Sequence, residues 1–582
     1  MPERDDMKLA AGSRIAVIGG GPAGTLFSYF LLDMAARADL PIQVDIFEPR
    51  RFNEFGPAGC NMCGGIISES LVQLLAAEGI NLPGTIVQRG IDSYILHTDL
   101  GRISIDPPGQ EKRIAAIHRG AGPRGLKESH WGSFDAYLLD LAASKGASLL
   151  PERVEEIRWE AGKPVIATRS GKVTDPYDLL TVAVGINSPL LKSFASLPGG
   201  FKPPIGTKTF ITECFLGQEA VELYLGDAMH VFLLDIPRLE FAAIIPKGEF
   251  ATVCLLGENI DKELIQAFFS APEVKECFPP GTPLASGQCQ CAPAINVTGA
   301  HTPFADRIAF IGDAGVNRLY KDGIGGSYRT AKAAARAAIF NGVSAADFAA
   351  GYGPTCRALT FDNNIGRIIF TVTRIIQKVR IARRAVLGMT FNEQNNANIP
   401  QRMSGVLWDT FTGSAPYRDV FLRTLHPGFL VRLVYEALAG AVPRPGENND
   451  GFRRSVMRKN ELGRIYPAGE PIFRQGETGD CMYVIQSGTV EVVRQSGSGE
   501  VRLAEFGEGE IFGEMALFGN NIRSATVRPL TDLRAITIDK KMFMQKIHDD
   551  PALAFRIIQK MSQRIRNLNE EIAKLVGQQP VS

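Results

Sequence analysis

Residues 14–24, RIAVIGGGPAG, constrain this chain more than any other stretch. The apolar run Ile15–Ile18 feeds directly into Gly19-x-Gly21-x-x-Gly24, and the helical run TLFSYFLLDMAARA follows at once. Each glycine has a physical task. Gly19 allows the tight turn, Gly21 lets backbone approach a pyrophosphate, and Gly24 lets the helix pack close to the strand. The free N–H groups of the helix then face the phosphates. Ala23 lies inside the same turn and counts with it. A second strand, IQVDIFEP, ends in Glu48, 24 residues beyond Gly24. A carboxylate there accepts both hydroxyls of an adenosine ribose and repels a 2′-phosphate. Strand, glycines, helix, strand and acid in this order predict a dinucleotide-binding α/β unit.

That unit cannot account for all 582 residues, because single cores stop growing near about 250–300 residues. Hydrophobic residues make up 45% and charged residues 21%, a globular composition rather than a disordered or fibrous one. Lys+Arg 63 against Asp+Glu 62 leaves a formal charge of +1, which argues against nucleic acid held by bulk charge. Nine cysteines without a regular framework suit a reducing compartment. The start, MPERDDMKLAAGS, has no signal-peptide core, and no apolar run reaches the ~18 residues of a membrane span. The expectation is a soluble cytoplasmic protein.

Far downstream, RIAFIGDAG (residues 307–315) forms a strand, then Gly312-Asp313, then a glycine loop and a helix expected from Ser327. This resembles the second FAD motif of the large glutathione-reductase-like flavoproteins. The resemblance implies FAD as cofactor, with Asp313 on its ribitol chain and the loop LYKDGIGGSYRTA, including Gly323 and Gly325, near the flavin ring and pyrophosphate.

Three further stretches resemble the geranylgeranyl reductase family. CNMCGGIIS looks like its Cys-Gly-Gly segment, which implies Cys63, Gly64 and Gly65 beside the flavin. SFDAYLLDLAASKGASLL resembles its Phe-Asp-x-x-Leu helix, here Phe134, Asp135 and Leu138. FAAIIPKGEFATVCLLG stands where the family carries an aromatic-rich strand along a lipid pocket. Pro246, Lys247 and Gly248 match, while Phe241, Ala243 and Ile245 replace the three aromatics. The resemblance covers about residues 13–340 and implies a lipid-like organic substrate. Cys63 is either a chemical participant or part of the cavity lining. Cys60 and Cys63 form a CxxC, open to a redox-pair reading although no thioredoxin-like pattern surrounds it, while zinc needs further ligands, and Cys289 and Cys291 are spaced by one residue only. No metal is expected.

After a linker-like stretch, AVPRPGENNDGFRR at 441–454, short alternating strands punctuated by glycine run from Glu461 to Ile538. Within them, Phe512-Gly513-Glu514-Met515-Ala516-Leu517 can form a short helix facing an anion, and Arg523 returns nine residues after Glu514 with a guanidinium fork. Ser524 adds a hydroxyl. This closely resembles the phosphate-binding cassette of cyclic nucleotide-binding domains, which implies Glu514 on the ribose 2′-OH and Arg523 on the cyclic phosphate. Gly476, Gly479, Tyr483 and Gly488 fit the same family's strand–turn pattern. Ser524 is compatible with cAMP or cGMP. The alternative is a roll that binds nothing. No helix-turn-helix pattern follows before Ser582, so a DNA-binding regulator is not expected.

Two helices complete the reading. GRIIFTVTRIIQKV puts Ile368, Ile369, Val372, Ile375, Ile376 and Val379 on one face, with Arg367, Arg374 and Lys378 opposite. The stretch 366–384 suits either an anionic membrane surface or packing on its own domain. Near the end, Ile558, Met561, Ile565, Leu568, Ile572 and Leu575 recur at three- and four-residue steps, as in a dimer seam or a helix packed on the roll. The expected architecture is multidomain. An α/β FAD-binding Rossmann-like domain (13–340) carries an inserted antiparallel substrate sheet from about 85–115 and 200–295. A helical region (341–440) and the linker (441–454) follow, and an all-β roll with flanking helices closes the chain (455–582). The functional expectation is an FAD-dependent oxidoreductase regulated by a cyclic nucleotide. A flavin monooxygenase of the same fold and a non-catalytic flavin redox sensor are the alternatives.

Overall fold

Ile15, Ala16, Val17 and Ile18 have strand partners on both sides, which is why the strand Arg14–Ile18 is apolar after its first residue. In a computed structural model it pairs in parallel with Gln43–Phe47 on one side and Leu179–Val182 on the other. Ser148–Leu150 and Ile308–Phe310 extend the parallel sheet, and Phe304–Ala305 adds one antiparallel edge strand. The structure describes residues 7–60, 63–106, 111–123, 131–197, 199–283, 289–396, 398–439, 462–496, 499–518, 521–540, 543–544, 547, 558–559, 561–566 and 569–570. The linker expected at 441–454 lies outside these residues.

The helix Pro22–Arg37 follows the glycine turn and is buried on nearly all sides, because the helix Gly323–Phe340 packs along it. Phe30 meets Tyr328 edge-on at 5.3 Å. This second helix begins at Gly323, four residues before the expected Ser327, because Asp322 takes the left-handed conformation (φ 55°) and turns the chain into the helix early.

The two inserted stretches join into one seven-stranded sheet. Its order is Cys289–Cys291, Phe210–Phe215, Phe250–Gly257, Leu239–Lys247, Ala228–Phe232, Ser93–Thr98 and Gly101–Ile105. The sheet is mixed rather than antiparallel. Ala228–Phe232 runs parallel to Ser93–Thr98, the seam where the two inserts meet and no hairpin fixes the direction. Leu239–Lys247 shows the two-residue period of a strand with two buried faces. Phe241, Ala243 and Ile245 join one core, while Ala242 and Ile244 join another that contains Phe268, Phe269 and Phe278.

Residues 345–439 are helical, with Gly353–Lys378 the longest element. The expected single apolar face at 366–384 is not formed. Gly366, Phe370, Thr373 and Gln377 face inward at helical spacing, with Ile369 and Ile376 flanking them. Ile368, Val372, Ile375 and Val379 are about half exposed, at 50%, 48%, 54% and 44%. Apart from Phe370, which packs among the rings of Phe241, Tyr320 and Tyr417, the inward face belongs to small and polar residues because the helix is approached closely there. A Cβ on Gly366 would lie 2.7 Å from the Tyr417 ring. Two of the basic residues are spoken for: Arg374 pairs with Glu240 and Glu258, and Arg367 donates to the Val297 carbonyl. Among the described residues no helix is long and apolar enough to cross a membrane.

The chain divides into two compact units, residues 1–71, 83–110 and 114–461 in one and 72–82, 111–113 and 462–582 in the other. The second contains a β-roll. Arg464–Tyr466, Leu533–Asp539, Cys481–Ser487 and Ile511–Phe512 form one sheet, and Gly499–Phe506, Val490–Ser496 and Thr526–Pro529 form another. Phe473, Tyr483, Ile485, Phe512, Val527 and Leu533 fill the space between them, with Tyr483 stacked on Phe512 at 4.9 Å. Of the proposed C-terminal seam, Ile558, Met561 and Ile565 are described, with Ile558 and Ile565 exposed. Leu568, Ile572 and Leu575 lie outside the described residues.

Candidate functional site

The glycine turn works by excluding side chains. Gly19 adopts φ +105°, and a Cβ there would sit 2.5 Å from the Ala183 carbonyl oxygen. At Gly24 a Cβ would fall 1.9 Å from the Gly19 oxygen, inside any contact distance. Gly21 is the N-cap of Pro22–Arg37, and no side chain caps that end. The unpaired amides of the first turn are therefore left for a ligand. Gly312, at φ +58°, meets the same turn from the far strand: its Cβ would lie 2.7 Å from that of Ala23. Ala23 and Gly312 are thus a paired close approach.

A cavity of about 1610 Å³ opens above this turn. Gly19, Gly21, Ala23, Glu48, Cys63, Gly64, Gly65, Asp313 and Gly323 line it. Gly24, Gly312 and Gly325 do not; they shape the backbone that does. Gly325 is small because Asp322 occupies its side-chain space, 2.2 Å from where a Cβ would be.

Glu48 is held by two backbone donors, Gly20 N–H to Oε2 and Arg50 N–H to Oε1, both at 2.8 Å. Burial raises its pKa against those two bonds. Each oxygen keeps a lone pair for a further donor. Across the cavity Asp313 accepts from Asn317 at 2.7 Å, and burial again raises its pKa while Asn317 and Arg119 act in the opposite sense.

Arg119 belongs to no sequence motif. It lines the cavity, and its Nε and Nη2 each donate at 2.8 Å to Asp135, which is fully buried. The role of Asp135 in the Phe-Asp-x-x-Leu helix is thereby physical: it aims a guanidinium at the cavity. The acid could be read from its helix, whereas its partner sits in a loop without a motif.

Around Cys63 the packing is equally tight. Its sulfur accepts from Gly65 N–H at 3.4 Å, and a Cβ on Gly64 would sit 2.9 Å from the Cys254 sulfur. Gly65, at φ +71°, lies against the Ile117 carbonyl and the Lys247 ammonium. Lys247 is buried and pairs with Glu213 at 3.1 Å, and Glu213 also accepts from Thr252 at 2.7 Å. All nine cysteines are free thiols. Burial pushes Cys291 up to about 12 and raises Cys254 further, so neither is a thiolate at neutral pH. Beyond Cys254 the cavity wall is the sheet face carrying Phe241, Ala243 and Ile245, which keeps one aromatic ring, that of Phe241.

In the roll, Arg523 is nearly fully buried, with its guanidinium 4.1 Å above the Phe473 ring and Nη1 donating to the Gly513 carbonyl at 2.8 Å. Gly479 and Gly513 make room for it, since a Cβ on either would fall 2.2 Å and 2.7 Å from its nitrogens. Its Nε is buried without a hydrogen-bond partner. An orphaned donor on a buried cation is what an anionic ligand would satisfy. A concavity of about 430 Å³ is lined by Arg523, Ser524 and Met515 together with Gln475, Gly476, Arg494, Leu503 and Ile522. Ala516 is buried beneath it, and Ser524 Oγ lies 3.4 Å from the Met515 sulfur. Glu514 does not stand free: Arg564, from the C-terminal helix, donates to its Oε1 at 2.9 Å. Arg564 also lies 4.1 Å from the Phe506 ring centre. No motif marks Arg564, because it reaches Glu514 across 50 residues of chain.

Comparison with known proteins divides along the same line. Residues 464–550 match the cyclic nucleotide-binding domain family. A CRP-like cAMP-activated global transcriptional regulator of Mycobacterium tuberculosis is 30% identical over 112 residues, 19% of this chain and 50% of that protein. The cAMP-dependent protein kinase type II regulatory subunit of Drosophila melanogaster is 32% identical over 142 residues, 24% of this chain and 36% of that protein. The chain therefore spans about half or less of the curated relatives it matches. Among solved structures, a flavoprotein/dehydrogenase of Cytophaga hutchinsonii superposes with a TM-score of 0.52 at 14% identity, covering 74% of this chain and all of that one. The protein is multidomain, with an FAD-type α/β oxidoreductase fold in its N-terminal region and a cyclic nucleotide-binding β-roll at its C-terminal end.

Proposed function

We propose that this chain is an FAD-dependent oxidoreductase of the geranylgeranyl reductase-like class, controlled by a cyclic nucleotide that binds its C-terminal roll. The observation that carries the reading is the single cavity that joins the glycine turn, Glu48 and Asp313 to the apolar sheet face of Phe241, Ala243 and Ile245. The residues fit FAD. Glu48 would take the adenosine ribose, the Gly19–Gly24 turn and Arg119 the pyrophosphate, Asp313 the ribitol, and the Cys63–Gly65 and Gly323 backbone would border the ring. Bound FAD would supply hydride and electron transfer, and the apolar face of Phe241, Ala243 and Ile245 would border a lipid-like substrate. In the roll, Arg523 would hold the cyclic phosphate through its orphaned Nε, and Glu514 the ribose hydroxyl. The names of the relatives favour cAMP over cGMP.

Purified protein is expected to be yellow, and lack of flavin absorbance after reconstitution with FAD would overturn the cofactor assignment. Calorimetry with cAMP and cGMP tests the roll: Arg523→Ala should abolish binding while leaving flavin content intact. Regulation requires flavin reduction or turnover to change by about 5- to 150-fold at saturating nucleotide, the usual range of an allosteric coupling. Tight nucleotide binding without such a change refutes the regulatory part alone. NAD(P)H oxidation that consumes oxygen only in the presence of substrate would assign the monooxygenase instead.

A further inference from the structure

One cation on the cavity wall has no acidic partner among the described residues. Lys321 lies in the loop between Asp313 and Gly323 and lines the cavity beside Tyr320. Its Nζ donates to the Phe411 carbonyl at 2.9 Å and lies 4.1 Å from the Phe241 ring centre and 5.1 Å from that of Phe411. Two donors of the ammonium remain unassigned. The surrounding wall is apolar, with Met229, Ala243, Ile245 and Leu256. Charged groups on the elements packed around it are already paired: Asp322 with Arg318 and Arg329, Asp409 with Arg423, Glu240 with Arg374, and Glu213 with Lys247. The Cys254 thiol, kept neutral by burial, is the remaining titratable neighbour that acts on it. Desolvation without a compensating carboxylate lowers the Lys321 pKa to about 7, so a large fraction is neutral amine at physiological pH.

We propose that Lys321 selects the substrate: the chamber takes a largely apolar molecule bearing one acidic O–H, and Lys321 receives that proton on binding. The O–H bond breaks with its electron pair left on oxygen, and the Nζ lone pair forms the new N–H bond. The product is an ammonium–oxyanion pair, neutral overall and suited to a wall whose neighbouring charges are already paired. An unpaired ammonium in an apolar chamber is costly, whereas a neutral amine awaiting an acid is not. This inference rests on the reading of the cavity as a joint flavin and substrate site.

The test uses the full flavin-loaded chain, trace acetic anhydride across about pH 5–11, and peptide mass spectrometry of each lysine. Lys321 is expected to label with a midpoint near pH 7, against roughly 10.4 for ordinary amines in the same sample. Decanoate at pH 7, binding with a proton taken from solvent, should slow its labelling by about tenfold or more, and 1-decanol at equal concentration by less than about twofold, because the alcohol supplies no oxyanion to pair with the Lys321 ammonium. Overturning results are a midpoint near 10, no labelling at any pH, or equal protection by both probes. Flavin absorbance of the same samples separates the two readings. Flavin present with failed discrimination refutes the role of Lys321, while absent flavin refutes the cofactor assignment and leaves the labelling midpoint to stand or fall by itself.

Discussion

Glu48→Gln isolates the contribution of one charge to flavin retention. In the wild type each carboxylate oxygen accepts one backbone N–H at 2.8 Å, from Gly20 and from Arg50, and keeps a second lone pair for the ribose. Glutamine is nearly isosteric, yet its NH₂ must face one of those two N–H groups, donor against donor. One charge-assisted bond is lost and the ribose faces a weaker acceptor. Bonds of that kind contribute about 1.5–3 kcal/mol, which is roughly a 10- to 150-fold weaker FAD dissociation constant. The flavin-free fold should lose the worth of about that one backbone bond, softened because burial already disfavours the charge and raises the pKa of Glu48 in the ligand-free protein. The assay is titration of deflavinated protein with FAD, followed by flavin fluorescence, beside thermal unfolding without FAD. Since the Glu48 pKa is raised, wild-type affinity should fall on acidification at a higher pH than for an ordinary glutamate, and the variant should lack that step. An FAD affinity within about twofold of wild type, where loss of even a neutral bond predicts more, would refute the assignment. So would a collapse of the flavin-free fold.

Three more outcomes are expected. Arg119→Ala leaves fully buried Asp135 without its bidentate partner and should cost about 3–5 kcal/mol in denaturant unfolding, with Arg119→Lys recovering only part; a loss confined to flavin affinity would show that the pair is not structural. Arg564→Ala removes the competitor for Glu514 and should tighten cAMP binding by about 2- to 10-fold, the worth of one modest hydrogen bond, whereas weaker binding in calorimetry would make Arg564 a ligand contact. His230 is buried, receives a hydrogen bond from His97 at 2.9 Å and donates to the Leu225 carbonyl at 3.2 Å, so it stays neutral with its pKa lowered to about 4 by burial. The unfolded chain takes up a proton there below its ordinary value of 6.5 and the folded one does not, so stability should fall by roughly 3 kcal/mol as pH drops from 7 towards 4. Urea unfolding across that range should show a shallower loss for His230→Gln, and an unchanged slope would refute the account.

Short-range physics was readable from the residues alone. Gly19 and Gly24 follow from the closeness of strand and helix a few residues apart, and a side chain at either would overlap backbone. The alternation of Phe241, Ala243 and Ile245 with Ala242 and Ile244 is likewise written in a two-residue period. The stretch around Gly366 shows where such reading stops. Its bulky residues suggested one apolar face, but the inward face is set by how closely Tyr417 approaches, and that distance has no signature in the helix itself.

What the sequence by itself determined was the local form of both candidate cradles, because a glycine turn with its strand and helix, or a Glu and an Arg nine residues apart in a roll, is complete within a short run of chain. Only the tertiary structure decided what stands opposite each of them. It brought Arg119 to Asp135, Arg564 to Glu514, and Lys321 to the rings of Phe241 and Phe411. It also set the parallel seam between Ser93–Thr98 and Ala228–Phe232. The physical reason is the same in each case. The charge, pKa and pairing of a side chain depend on partners brought near by folding, and desolvation acts only once the surrounding chain has closed over the group.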